Sequence, residues 1–213
     1  MNQQEFIEEL KKLGISPTTK QLELLNQFYE LLIEWNQKIN LTRITEKEEV
    51  YLKHFYDSLT IVKEIDLSKV STLCDVGSGA GFPGIVLKIF YPNLKVTLID
   101  SLQKRVNYLN EVIKALNLTD IQAIHTRAEE YHETFDIVTA RAVANIEKLL
   151  KYTMHLLNKT GKLVAMKGNI YEELSDAVQK RIQKKYKIIK ITKFYLPKEN
   201  SHRSLVIISK KGQ

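Results

Sequence analysis

Leu73-Cys74-Asp75-Val76-Gly77-Ser78-Gly79-Ala80-Gly81-Phe82-Pro83-Gly84 joins a short apolar run to an acid and then to four of the chain's eight glycines. The pattern predicts a strand over 70–76 that ends in a loop. Glycine serves where the backbone turns with positive φ or comes close to a ligand. The helix expected at about 83–91 would add free N–H groups and its positive end to the same concavity. A cofactor site is expected here, with the rest of the chain as its support and its substrate surface.

Downstream, β-rich apolar runs recur at 95–99, 121–125, 135–140 and 162–166, with helical patterns between them at about 83–91, 102–116 and 145–157. Such alternation implies an α/β fold with a mostly parallel sheet covered on both faces. A further helix is expected at about 170–183. The runs near 186–195 and 204–209 have no helix between them and should pair as an antiparallel hairpin. Upstream, Phe6, Ile7, Leu10 and Leu13 have helical spacing before Gly14. Ser16 and Pro17 read as the N-cap and first position of a helix over about 18–38, whose apolar stripe is Leu22, Leu25, Phe28, Leu32, Trp35 and Ile39. Short helices are expected at 46–51 and 54–65. Residues 1–68 are therefore a helical extension packed on a domain of residues 69–213, with no Gly/Ser/Pro-rich linker between them.

The 213 residues carry a net charge of +7, unevenly: residues 1–70 hold 9 Lys/Arg against 12 Asp/Glu, and residues 71–213 hold 23 against 13. A basic half favours an anionic partner such as nucleic acid. The sole cysteine, Cys74, excludes an internal disulfide and a cysteine-rich zinc site, and the five histidines show no ligand spacing. Met1 to Leu10 has no apolar core of a secretory signal, and no run approaches the length of a membrane span. A cytoplasmic protein without membrane or metal partners is expected.

Two registers fit the glycine loop. Gly79-Ala80-Gly81-Phe82-Pro83-Gly84 matches the dinucleotide fingerprint. Asp75-Val76-Gly77-Ser78-Gly79-Ala80-Gly81 matches the first motif of Rossmann-like S-adenosylmethionine methyltransferases. Asp75 favours the second register, because an acid suits the cationic end of an amino-acid cofactor and repels a pyrophosphate. Asp100, closing the second strand, can take the ribose hydroxyls of either cofactor. Arg127-Ala128-Glu129-Glu130 follows the third strand, where an adenine contact is expected. Ala140-Arg141-Ala142 follows the fourth, at the carboxyl edge where ligands collect.

With these motifs placed, the chain resembles the bacterial 16S rRNA guanine-N7 methyltransferases, historically called glucose-inhibited division protein B. The matching blocks are Trp35 to Thr42, His54 to Leu59, Asp75 to Ile85, Asp100 to Arg105, Arg127 to Glu129 and Ala140 to Ala142. The resemblance implies a class I methyltransferase fold, S-adenosylmethionine as cofactor, and one guanine in the 530 loop of 16S rRNA as target, naked or within a small-subunit particle. It also implies that Gly77 and Phe82 line the cofactor pocket and that Ala128 and Glu129 contact adenosine. Arg141 would lie at the methyl-transfer end, with Asn40, Arg127 and Arg203 handling substrate or cofactor.

The chemistry agrees with that acceptor. Pyrimidine C5 methylation needs a cysteine nucleophile, and Cys74 sits inside the expected first strand. Exocyclic amines are served by an Asn/Asp-Pro-Pro-aromatic motif, whereas this chain has Ala140-Arg141-Ala142-Val143. Guanine N7 has a free lone pair and no proton to lose, so orientation and a complementary field suffice. Arg141 and Asn40 are therefore expected to position the base or the cofactor carboxylate, without a general base. Asp75, Gly77, Gly79, Phe82, Asp100, Ala128, Glu129 and Arg141 form the expected cofactor set. His54 and Asp57 share a helical face, as an RNA contact or lid, or as a pair joining the extension to the core. Lys104, Arg105, Arg127, Arg203 and His54 are the expected RNA contacts. Lys180 to Lys193, with seven basic residues and no acid, would add phosphate binding.

Overall fold

The computed structural model describes residues 1–171 and 173–212. Residue 172, within the helix expected at 170–183, and residue 213 lie outside the described residues.

Each expected parallel strand forms: β1 (Thr72–Val76), β2 (Lys95–Asp100), β3 (Ile121–His125), β4 (Phe135–Arg141) and β5 (Leu157–Lys167). They are followed by β6 (Tyr186–Tyr195) and β7 (His202–Lys210), which pair antiparallel, with β7 also antiparallel to β5. The seven strands run in the order β3-β2-β1-β4-β5-β7-β6. The helices are α1 (Gln3–Lys12), α2 (Thr19–Ile39), α3 (Lys47–Val50), α4 (Asp57–Leu59), α5 (Gly84–Phe90), α6 (Gln103–Ala115), α7 (Ile146–Thr153) and α8 (Asp176–Lys185).

Strand alternation divides the core between the two faces of the sheet. Leu73, Leu98, Ile137, Val164 and Ile207 pack with the N-terminal helices, α5 and α6. Cys74, Ile99, Val138, Leu163 and Ile208 pack with α7 and α8. The helical extension belongs to the first of these cores through Phe6, Leu10, Leu25, Phe28, Leu32 and Phe55, all inaccessible to solvent. Phe28 lies 5.7 Å from Phe55 and 5.3 Å from Phe82, ring centre to ring centre, so α2 buttresses the glycine loop directly.

Three expected boundaries shift for identifiable reasons. The N-cap of α2 is Thr18 rather than Ser16, because Thr18 forms a reciprocal capping box with Gln21. The helices expected at 46–51 and 54–65 merge, since a π-helical turn over Tyr51–Tyr56 joins α3 to α4 and a 3-10 turn follows at Thr60–Lys63. α8 begins at Asp176. Ahead of it, the Asn169 side chain accepts a hydrogen bond from the Tyr171 backbone at 3.0 Å, a local turn that competes with helix.

Candidate active site

At the carboxyl edge of β1, the loop after Val76 turns on Gly77, Gly79 and Gly81, all with positive φ. At Gly77, with φ of 68°, a Cβ would come within 2.7 Å of Val143 Cγ2, so the bare backbone lets the loop after β4 lie against it. The Gly77 and Ser78 N–H groups both donate to the Ile99 carbonyl. Asp100 Oδ2 accepts from the Gly79 N–H and Oδ1 from the Leu102 N–H, each at 2.9 Å, tying the ends of β1 and β2 together.

Beside this junction lies a cavity of about 220 Å³ lined by Gly77, Asp100, Thr126, Arg127, Ala128, Glu129, Val143 and others. Gly77, Asp100, Ala128 and Glu129, expected from sequence as cofactor residues, therefore share one cavity. The geometry fits a nucleoside. Asp100 uses one hydrogen bond per oxygen and keeps acceptor capacity for a diol, Ile99 and Val143 offer apolar surface, and a side chain at position 77 would fill the space.

Asp75 departs from its expected role. Its carboxylate is fully buried, accepting from the Gly84 N–H at 3.0 Å through Oδ2 and from the Thr139 hydroxyl at 3.0 Å through Oδ1. Burial pushes its pKa up to about 6, against the pull of those donors. Asp75 anchors the start of α5 to β1 and β4 and does not line the cavity. Phe82 departs likewise, since it faces the helical extension. The His54 ring stacks on it at 4.4 Å and the Arg141 guanidinium lies 5.2 Å from its ring centre. Gly79 supports Asp100 from behind.

A second cavity, of about 300 Å³, lies between the helical extension and the β6–β7 hairpin. Its wall includes His54, Asp57, Arg141, Ala142, Lys167 and Arg203. Arg141 follows Thr139 by two residues on β4 and so points to the same face as Asp75. Its Nη1 donates to the Lys53 carbonyl and to Asp57 Oδ2, each at 3.0 Å, and its Nη2 donates to His54 Nδ1 at 2.9 Å. Arg203 Nε donates to the other oxygen of Asp57 at 3.1 Å.

Because guanidinium only donates, His54 Nδ1 is an acceptor, and Nε2–H donates to the Thr42 hydroxyl at 3.0 Å. Burial first, then the Arg141 charge, push the His54 pKa down to about 3. His54 is thus a neutral, largely buried connector that also forms part of the cavity wall. His54 and Asp57 join the extension to the core, with Arg141 between them.

Asn40, expected to position the base or the cofactor carboxylate, is the exposed left-handed C-cap of α2, φ 50°, and stands outside both cavities. Lys104 is exposed and lines neither, while Arg105 lies 3.6 Å from Asp100. Cys74 is buried, and burial raises its thiol pKa well above the usual range.

Ala142 and Val143 separate the two cavities, one residue facing each. Ala142 holds φ of 56°, a conformation that costs a residue with a Cβ about 1–2 kcal/mol. The loop is held from below by Lys167, whose Nζ donates to the Ala144 carbonyl and lies 2.7 Å from Glu173 Oε1. Sequence reading passed over Lys167. Its signal is the Met166-Lys167-Gly168 run that ends β5, a cation at a strand tip.

The family model described as rRNA small subunit methyltransferase G (GidB) matches residues 21–205 of the chain. The ribosomal RNA small subunit methyltransferase G of Bacillus pumilus is 46% identical over 220 residues, covering 100% of this chain and 92% of its own length. Among solved structures, an S-adenosylmethionine-dependent methyltransferase from Aquifex aeolicus superposes with a TM-score of 0.58 at 18% identity, over 83% of this chain and 97% of that one. M. jannaschii TYW2 in complex with AdoMet gives a TM-score of 0.58 at 17% identity, over 79% and 80% of the two chains. The structural likenesses establish the class I methyltransferase fold, and with the family match and the full-length relative they carry one conclusion: the chain belongs to the GidB family of rRNA small subunit methyltransferases.

Proposed function

We propose that the protein transfers a methyl group from S-adenosylmethionine to N7 of a guanine in the 530 loop of 16S rRNA. The observation that carries this reading is the pairing of two neighbouring cavities. One is built for a nucleoside around Gly77, Asp100, Ala128 and Glu129, and the other is organised by Arg141.

When bound, S-adenosylmethionine supplies an electrophilic methyl group on a sulfonium. Asp100 would take the ribose hydroxyls, Ala128 and Glu129 the adenine edge, and Gly77 leaves room for the chain of atoms between them. In the larger cavity Arg141 has spent three of its five N–H donors. The remaining two serve to hold guanine O6, next to the reacting nitrogen, while leaving the N7 lone pair free. A donor aimed at N7 itself would block attack. His54, whose Nδ1 lone pair is taken up by Arg141, and the inaccessible Cys74 match an acceptor that needs neither proton removal nor covalent capture. Stacking of His54 on Phe82 fixes the Arg141 fork, so the field is organised before substrate arrives.

The extension, residues 1–68, and the catalytic domain, residues 69–213, act as one body in this reading. Among the described residues no helix is long and apolar enough to cross a membrane, and the protein would act in the cytoplasm on rRNA, naked or in a particle. The test is incubation of labelled S-adenosylmethionine with 16S rRNA and with small subunits from a strain lacking the modification. Label at a 530-loop guanine, cleavable as N7-methylguanine, is expected. Label confined to another base, or none on either substrate, would overturn the proposal.

A further inference from the structure

β6 is the last strand of the sheet, and near its end it carries aromatic surface that neither cavity uses. Tyr195 is 56% exposed and lies against His202 of β7 with the two rings tilted at 42°, ring centres 4.3 Å apart, and with its hydroxyl 3.2 Å from His202 Nε2. Two residues earlier on the same face, Lys193 holds its Nζ 3.8 Å from the ring centre of Tyr171, which is 62% exposed. Ile191, two residues further back, packs in the core under α8, whereas Phe194 packs in the opposite core. Lys193 and Tyr195 therefore share the α8 face.

The patch is close to the Arg141 cavity. Tyr195 pairs with His202, and the adjoining register pair, Phe194 with Arg203, lines that cavity from the other face of the hairpin. The patch carries its own cation, Lys193, which makes no ion pair among the described residues. The exposed Lys184, Lys185 and Lys187 stand at the opposite end of β6 from Tyr195. Lys190 is held by Glu64 at 2.8 Å and Arg181 by Glu147 at 2.9 Å, so those two are partly neutralised. Exposed rings held in place by a neighbouring imidazole or ammonium, with Lys193 beside both, match splayed bases on a phosphate backbone. Base stacking on aromatic rings tolerates any sequence, and lysines supply the phosphate attraction.

We propose that Tyr171, Lys193, Tyr195 and His202 form a stacking platform for unpaired rRNA nucleotides beside the target base. The inference rests on the rRNA reading above and names where the strand around the guanine is gripped.

The test compares the wild type, the Tyr171→Leu/Tyr195→Leu double variant and Tyr195→Phe. Affinity is measured for naked 16S rRNA, for small subunits and for S-adenosylmethionine. Both tyrosines are exposed, and unchanged S-adenosylmethionine affinity verifies that the fold is intact. The double variant should bind both RNA substrates about tenfold more weakly, the order expected for losing a base stack. Tyr195→Phe, which keeps the ring, should bind like the wild type. RNA affinity unchanged in the double variant would overturn the platform. So would a loss seen only with assembled subunits, which would assign the surface to a ribosomal protein. A wild-type protein that transfers no methyl group to rRNA would defeat the functional reading instead.

Discussion

Arg141 is held by three acceptors, the Lys53 carbonyl, Asp57 and His54, and this fixes a planar fork at the end of β4. Lysine carries one point charge and cannot reproduce that geometry. In single-turnover assays Arg141→Ala and Arg141→Lys should both slow methyl transfer by about 100-fold, the scale of a small misplacement at a reacting centre. Unchanged rate and cofactor affinity would remove Arg141 from the mechanism. His54 gives an independent check. Its folded pKa is depressed from 6.5 to about 3, so its contribution to stability is complete above pH 6.5 and is lost as pH falls toward 3. NMR of the ring should show a neutral Nε2–H tautomer down to pH 5. Titration with a midpoint near 6.5 would contradict the connector role. At this scale the sequence was legible for residues whose surroundings are local. Asp100 closes β2 and Glu129 stands in the short turn after β3, and both line the cavity. Asp75 was legible as important but not in its use, because its partners Gly84 and Thr139 lie 9 and 64 residues away and only folding brings both to its carboxylate.

Two elements meet at the site, the glycine loop and the helical extension behind it. Gly77→Ala would place a methyl group against Val143 at a backbone conformation that costs about 1–2 kcal/mol. S-adenosylmethionine affinity should fall by about tenfold or more, while Gly14→Ala, far from the site with open space around it, should leave it unchanged. Calorimetric titration makes the comparison. Phe28 is fully buried against Phe55 and Phe82, so Phe28→Ala should cost about 3–5 kcal/mol in denaturant unfolding. A cost below 1 kcal/mol would mean that the extension is not integral to the core. Strands and the terminal hairpin were legible because alternation and missing crossover helices are local patterns. The π-helical turn at Tyr51–Tyr56 was not, because it is stabilised by packing that sequence spacing does not record. Tyr51 and Phe55 lie 5.0 Å apart, and His54 must reach Phe82.

Across the whole molecule, the nucleoside cavity lies wholly in the basic part of the chain, and the Arg141 cavity is shared between that part and the helical extension. Residues 71–213 carry the basic excess, and Arg127, Arg203 and the lysines of α8 and β6 belong to it. If these cations meet phosphates, log affinity for rRNA should fall linearly with log salt, at a slope of about −0.7 to −0.9 per phosphate contacted. A flat response in filter binding would contradict a phosphate-borne interface. In the proposed reaction the two cavities bring an electrophilic methyl group to a guanine nitrogen that needs no deprotonation. The most direct test places 7-deazaguanine, which has carbon in place of N7, at the accepted position of an otherwise unchanged rRNA. Binding should be undiminished and methyl transfer absent. Transfer at the normal rate would show that the methyl group goes to another atom and would contradict the account.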